Sequence, residues 1–235
     1  VILMVVAYIA YKGLSAISFD FIFDYPREGM RSGGIFPAIL GTILLTFGTA
    51  IVSIPIGIGA AIFLSEYAQD NWLTRMIRIA IINLAGIPSV VYGLFGLGMF
   101  VIAMQLGMSI LAASLTLGIM TLPVIISTSE EALRAVPQPF RVVSISVGAT
   151  KWQTIRQIVL PQAIPGILTG VILGLERAAG ETAPILFTGA AFYLPSLPSS
   201  PLDATMALPY HLYVISTQVP GMPVQIQYGT ALVLL

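Results

Sequence analysis

Residues 79–129 read IAIINLAGIPSVVYGLFGLGMFVIAMQLGMSILAASLTLGIMTLPVIISTS, and from Arg78 to Glu130 no Asp, Glu, Lys or Arg interrupts them. A helix crosses the hydrocarbon core of a bilayer in roughly 20 residues, so this run has room for two crossings. A second uncharged run, between Arg31 and Glu66, has room for one. The composition agrees. Soluble domains carry about a quarter charged residues, whereas this chain of 235 carries 9% and is 57% hydrophobic, with a mean hydropathy of +0.96. The chain resides in a membrane.

A membrane-spanning barrel would alternate polar and apolar residues in segments of about ten. Ala50–Ile56 and Ile77–Ile82 are instead apolar on nearly every side, which suits helices, whose backbone hydrogen bonds are closed within the segment. The expected class is an all-α polytopic membrane protein with a single permease-like domain over 1–235. Spans are expected at about 1–12, 35–64, 77–104, 109–129, 164–187 and 227–235, the first and last incomplete. Residues 1–11 lack the basic start and small-residue cleavage site of a signal peptide and read as the tail of a first helix.

Charge sets the orientation. Segments 65–78 and 130–163 carry Arg75, Arg78, Arg134, Arg141, Lys151 and Arg156, against Lys12, Arg27 and Arg31 on the other side. By the positive-inside rule the first side is cytoplasmic, and 188–226 is an outer, periplasmic loop. Pro195, Pro198, Pro201, Pro220 and Pro223 forbid a continuous helix there. A short amphipathic helix over Met206–Ser216 is expected to lie along the membrane surface, with His211 as a surface residue. With no cysteine and one histidine, thiolate chemistry, a metal centre and a Ser–His–Asp triad are not expected. No P-loop is present, so the chain itself is not expected to be an enzyme.

The cytoplasmic segment 130–163 has the most informative wording. Pro139 suits a helix start, residues 140–147 form one short helix, and Gly148 ends it through a left-handed cap. A second helix follows, with Ile155, Ile158 and Val159 on one face, and Pro161 and Pro165 mark re-entry into the bilayer. A helix, a glycine turn and a helix, with apolar knobs and a basic fringe, form a shape for docking another protein. The candidate docking residues are Arg141, Val142, Val143, Ser144, Gly148, Ala149, Thr150, Lys151 and Trp152.

Gly148, Ile158, Leu160 and Pro161 match the second half of a cytoplasmic motif of ABC-importer permeases: E-A-A, three residues, G, nine residues, I, one residue, L-P. Its first three positions fall on Val142, Val143 and Ser144, so the acidic residue is absent. Gly34–Thr42, Ser65–Ala68 and Arg177–Pro184 resemble the PstA family, permease subunits of phosphate-specific ABC importers. The resemblance implies a type I importer core of about six helices, docking on an ATPase through the short helix, and half of a path for inorganic phosphate. It also implies a sister permease PstC, two copies of the ATPase PstB that bind ATP–Mg, the periplasmic phosphate-binding protein PstS, and a bacterial or archaeal plasma membrane. No cofactor is expected in this chain, and no nucleic-acid partner.

Glu176, Arg177 and Glu181 fall inside the fifth expected span, with Arg177 near its midpoint. A charge at the bilayer centre costs about 2.5–3.5 kcal/mol, so three within six residues face protein or water. Arg177 and Glu181 are spaced to share a helix face and pair, while Glu176 projects about 100° away. A guanidinium offers a planar fork of donors to phosphate oxygens. The candidate path residues are Arg177, Glu181, Glu176 and Thr182. Four readings remain beside phosphate transport: a structural ion pair, a permease for molybdate or sulfate, a secondary transporter or channel without an ATPase, and a purely structural membrane scaffold. Gly170 and Gly174 permit close helix packing, and Pro55 and Pro88 lie where they can kink their spans.

Overall fold

The computed structural model of the protein describes residues 1–194 and 196–235; Pro195, named above in the outer loop, lies outside the described residues. The helices, in chain order, are α1 (Ile2–Gly13), α2 (Phe19–Phe23), α3 (Phe36–Ile62), α4 (Trp72–Ala85), α5 (Ser89–Gly96) and α6 (Ile110–Ala135). They continue with α7 (Gln138–Ser146), α8 (Lys151–Thr154), α9 (Leu160–Gly180), α10 (Ala183–Thr188), α11 (Leu208–Thr217) and α12 (Val224–Leu234). A small antiparallel hairpin pairs β1 (Pro26–Arg27) with β2 (Ser32–Gly33). Three π turns extend or join helices: Phe63–Tyr67 after α3, Leu97–Ala103 after α5, and Ile155–Val159 between α8 and α9.

With the π turns included, the helices Phe36–Tyr67, Ile110–Ala135 and Lys151–Gly180 are each long and apolar enough to cross a membrane. Two expected spans differ from what is found. The one at 77–104 is not a single rod: α4 ends at Ala85 and a second helix starts at Ser89. Gly86 caps α4, with its N–H donating to the Asn83 carbonyl at 3.1 Å. Pro88 then has no N–H with which to continue the ladder. The span expected at 164–187 starts earlier and ends sooner, as part of the continuous helix Lys151–Gly180. Pro161 and Pro165 lie inside that helix and do not interrupt it. Pro161 follows directly on the π turn, where the Leu160 N–H already bonds five residues back to the Ile155 carbonyl.

The chain divides into two compact units. The first comprises Val1–Gly48, Ser89–Thr116 and Ala179–Leu235. In it α1 packs along α12, with the rings of Tyr8 and Tyr228 edge to face at 5.7 Å. Gly41 lets α3 touch the backbone of Met206, since a Cβ there would overlap the Met206 carbonyl. One residue on, Thr42 Oγ1 accepts from Leu208 N–H at 2.8 Å. Segment 201–203 also closes the start of α6, where helical N–H groups have no partner of their own. Ile110 and Leu111 donate to the carbonyls of Asp203 and Pro201, each at 2.9 Å.

This anchoring corrects the expectation for 206–216. The helix exists, as α11, but Leu208, Pro209, Tyr210, His211, Val214 and Ile215 are all buried. His211 is 3% exposed and its Nδ1 has no hydrogen-bond partner among the described residues. Burial lowers its pKa from 6.5 to about 4.

The second unit comprises Thr49–Pro88 and Leu117–Ala178. Its core gathers Ala61, Ile125, Leu133, Val159, Ile167 and Val171. The faces of α9 and α6 meet along a row of glycines on α9: Gly166 against Ala132, Gly170 against Thr128 and Gly174 against Ile125. Without water to drive association inside a bilayer, close backbone approach of this kind holds helices together.

Candidate coupling hairpin and path residues

The α7–α8 hairpin is built by local chemistry. Pro137 takes the extended N-cap conformation, and Pro139 follows in the first turn, where a missing N–H costs no helical bond. At the other end Gly148 has φ +91°. Its N–H donates to the Ile145 carbonyl at 3.0 Å, and the Ala149 N–H donates to Ser144 at 3.2 Å. This pair of bonds is a Schellman cap. Thr150 then opens α8 with a capping box: its Oγ accepts from Gln153 N–H, and the Gln153 side chain accepts from Thr150 N–H at 2.8 Å. Between the legs, the hydroxyls of Ser144 and Thr154 hydrogen-bond at 2.8 Å in a buried position.

On this frame the expected docking residues separate into two groups. Val142, Val143 and Val147 are 61%, 63% and 79% exposed, and Phe140, Ile145 and Trp152 are exposed as well. Thr150, Lys151 and Gly148 lie at the exposed turn, with Ala149 half-buried. Ser144 is turned inward, and so is Arg141. Arg141 was expected on the docking face, but its side chain is 11% exposed and pairs with that of Glu66, 9% exposed, at 2.7 Å. It also donates to the carbonyls of Val136 at 2.6 Å and Leu133 at 2.8 Å, at the end of α6 where carbonyls lack helical donors.

Glu66 sits in the π turn that ends α3, closed by Ala68 N–H donating to Phe63 at 2.8 Å. A cleft of about 460 Å³ opens beside it, lined among others by Arg134, Gln138, Val142, Ile145 and Lys151. The Lys151 ammonium stands 4.8 Å from the centre of the Tyr67 ring, a cation–π distance. Next to this, Glu130 accepts from both Arg78, at 2.9 Å, and Arg134, at 2.8 Å. Arg78 also donates to the Leu64 carbonyl at 2.8 Å. Sequence reasoning placed Arg78 and Arg134 only as topology signals and gave Glu66 and Glu130 no role. The sequence signals were position, since each of these glutamates ends a long uncharged run, and for Glu66 its place in the Ser65–Ala68 stretch.

The candidate path residues lie at a break in the chain's helical course. Arg177 is in the last turn of α9, not at the middle of a span, and a cation there is favoured by the helix dipole. Glu176 beside it is exposed, and Arg177 is half-buried. Helix α9 ends at Gly180, so Glu181 lies beyond it and does not share a continuous helical face with Arg177. Thr182 is the N-cap of α10 without a side-chain capping bond. Arg177 and Glu181 each have an interaction partner.

Residues 53–230 match the family described as the binding-protein-dependent transport system inner membrane component. The chain belongs to this family. It is therefore a membrane-embedded transporter component, and the all-α, type I importer permease fold expected from the sequence is the fold found. It is similar to the probable ABC transporter permease protein YqgI of Bacillus subtilis (strain 168), 34% identical over 223 residues, 90% of this chain and 76% of the relative. It is 32% identical to the probable phosphate transport system permease protein PstA of Methanocaldococcus jannaschii over 206 residues, 88% of this chain and 72% of the relative. Phosphate transport system permease protein PstA 1 of Mycobacterium tuberculosis (strain H37Rv) is 37% identical over 155 residues, 66% of this chain and 50% of the relative. The chain thus spans between half and about three quarters of these relatives. Among solved structures, the inward-facing MetNI methionine ABC transporter superposes with a TM-score of 0.66 at 18% identity, over 84% of this chain and 86% of that one. The relatives named are permease subunits of transporters.

Proposed function

We propose that this family member is a permease subunit of an ATP-driven importer and forms half of the translocation path for inorganic phosphate. One observation carries the coupling part: a hairpin locked by a Schellman cap and a capping box leaves Val142, Val143 and Val147 uncovered. Such a surface suits a hydrophobic groove on a partner, and in this reading the partner is the ATPase PstB, present in two copies and holding ATP–Mg. The hairpin is cytoplasmic, and 188–226 faces the periplasmic binding protein PstS. The second half of the path comes from the sister permease PstC, in a bacterial or archaeal plasma membrane. The chain hydrolyses nothing itself.

Arg177 is the path residue with the chemistry for an oxyanion, and Glu181, Glu176 and Thr182 accompany it. A guanidinium at a helix break offers a fork of donors to phosphate. A neighbouring carboxylate competes for that fork, so the ion is held weakly enough to leave. The phosphate assignment is supported by relatives named as phosphate permeases at 32% and 37% identity.

The test is ATP-dependent uptake of labelled phosphate by proteoliposomes containing the whole complex, wild type beside Arg177→Gln, with sulfate and molybdate run in parallel. Uptake of phosphate by the wild type, lost in an assembled Arg177→Gln complex, upholds the substrate and the role of Arg177. Equal uptake by both removes Arg177 from the path. Transport of only sulfate or molybdate overturns phosphate, and transport without the ATPase overturns the importer reading.

A further inference from the structure

Both legs of the coupling hairpin are fastened to the π turn that follows α3. From α7, Arg141 places Nη2 2.7 Å and Nε 3.4 Å from the two carboxylate oxygens of Glu66. From α8, Lys151 lies over the ring of Tyr67, the next residue. The same π turn receives α4, because Arg78 donates to the Leu64 carbonyl. Arg141 also holds the end of α6 through Leu133 and Val136. Phe63–Tyr67 is therefore where α3, α4, α7 and α8 are tied together by polar contacts. The tie to α7 is the most buried ion pair described in the chain.

A helix that merely had to rest on its neighbours would not need such a pair. Burying both charges carries a desolvation cost that an apolar contact of similar volume avoids, and buried ion pairs are best attested as devices that fix register. A guanidinium held by four hydrogen bonds to two elements has a single geometry, whereas apolar contacts slide. The π turn adds to this, since such turns recur at functional positions in helices. We infer that the Arg141–Glu66 pair is the joint through which displacement of the hairpin enters the membrane helices, with Glu66 a positioning residue of the transport cycle that touches neither substrate nor ATPase. This inference rests on the proposed docking of an ATPase on α7.

The experiment compares the reconstituted complex with its Glu66→Gln variant and reads phosphate imported per ATP hydrolysed. Glutamine keeps the size and one acceptor but removes the charge. The expected result is an assembled complex that hydrolyses ATP within about twofold of wild type and imports at least tenfold less phosphate, so the ratio falls as far. Glu66→Asp retains the charge, and with it the fold, but shortens the arm by one methylene; its ratio is expected between the two. Val143→Asp serves as the docking control, in which ATPase recruitment and uptake fall together. If Glu66→Gln and Glu66→Asp both keep the wild-type ratio, the pair is packing only and the inference is overturned. If hydrolysis and uptake fall in proportion, the pair acts on docking and the inference is likewise overturned. A wild-type complex that fails to couple ATP to phosphate uptake overturns the proposed function first, and that arm is read without either variant.

Discussion

Helices α7 and α11 are built alike and used oppositely. They have nine and ten residues, each begins with a proline in its first turn, and each lies in a long connection between apolar helices. Yet α7 buries one residue, Ser144, while α11 buries six. Local sequence sets where such helices start and stop. What covers their apolar side depends on contacts far along the chain, such as Leu208 to Thr42. An uncovered α7 suits the proposed docking of a partner, whereas α11 is covered by its own chain.

The sharpest test of that difference places one charge in each helix. Val214 in α11 is fully buried, and Val214→Asp buries a carboxylate without a partner, the kind of change that costs about 4 kcal/mol or more. Loss of folded, detergent-soluble protein is expected. Val143→Asp sits on open surface, should leave the stability of the isolated permease within the ~0.5 kcal/mol typical of surface changes, and should reduce ATPase co-purification at least tenfold. If the two variants melt alike, the contrast is wrong.

His211 provides the next largest effect. Its folded pKa of about 4 lies below the ordinary 6.5, so the unfolded chain takes up the proton first as pH falls. The stability tied to its burial is complete above pH 6.5 and is lost as pH drops from there toward 4, by roughly 3 kcal/mol over the whole window. Thermal melts at pH 7.5 and pH 5 should differ by roughly 2 kcal/mol, and His211→Phe should remove that difference. No such pH dependence is expected to originate in α7.

Gly148→Ala tests the hairpin turn itself. An L-residue at φ +91° costs roughly 1–2 kcal/mol, so faster proteolysis at 146–150 is expected with the rest of the fold intact. Asp203 gives the smallest effect. Its carboxylate accepts from Ser199 N–H at 2.8 Å, Ser200 N–H at 2.9 Å and Ser199 Oγ, and those bonds hold its pKa below the usual carboxylate value. Its contribution is present above pH 4 and lost on further acidification. Asp203→Asn should speed amide exchange at 199–203 and change little else.

What the sequence made legible were the features that depend on neighbours in the chain. Gly148 and the helix before it follow from cap chemistry within ten residues, and the long apolar helices follow from hydropathy alone. The helix break at Gly86–Pro88 was foreshadowed by Pro88. Helix α9 ends at Gly180, but a glycine within a helical pattern is often tolerated, and that is why Glu181 is expected on the same helix as Arg177. Arg141 and His211 were misplaced for a common reason. A basic residue in a basic loop reads as fringe, and a histidine in an outer loop reads as surface. Each is buried by residues distant in sequence, Glu66 in the case of Arg141.

The continuity of Lys151–Gly180 has a mechanical consequence. The hairpin's second leg and Arg177 sit on one helix, about 39 Å apart at 1.5 Å per residue. Under the proposed function this helix is a lever, with the docking hairpin at one end and the candidate anion ligand near the other. A tilt of only about 5° about the hairpin end would carry the guanidinium roughly 3 Å sideways over that length, about the span of one hydrogen bond. Under the proposed function, a stroke that small is enough to take an oxyanion from held to released.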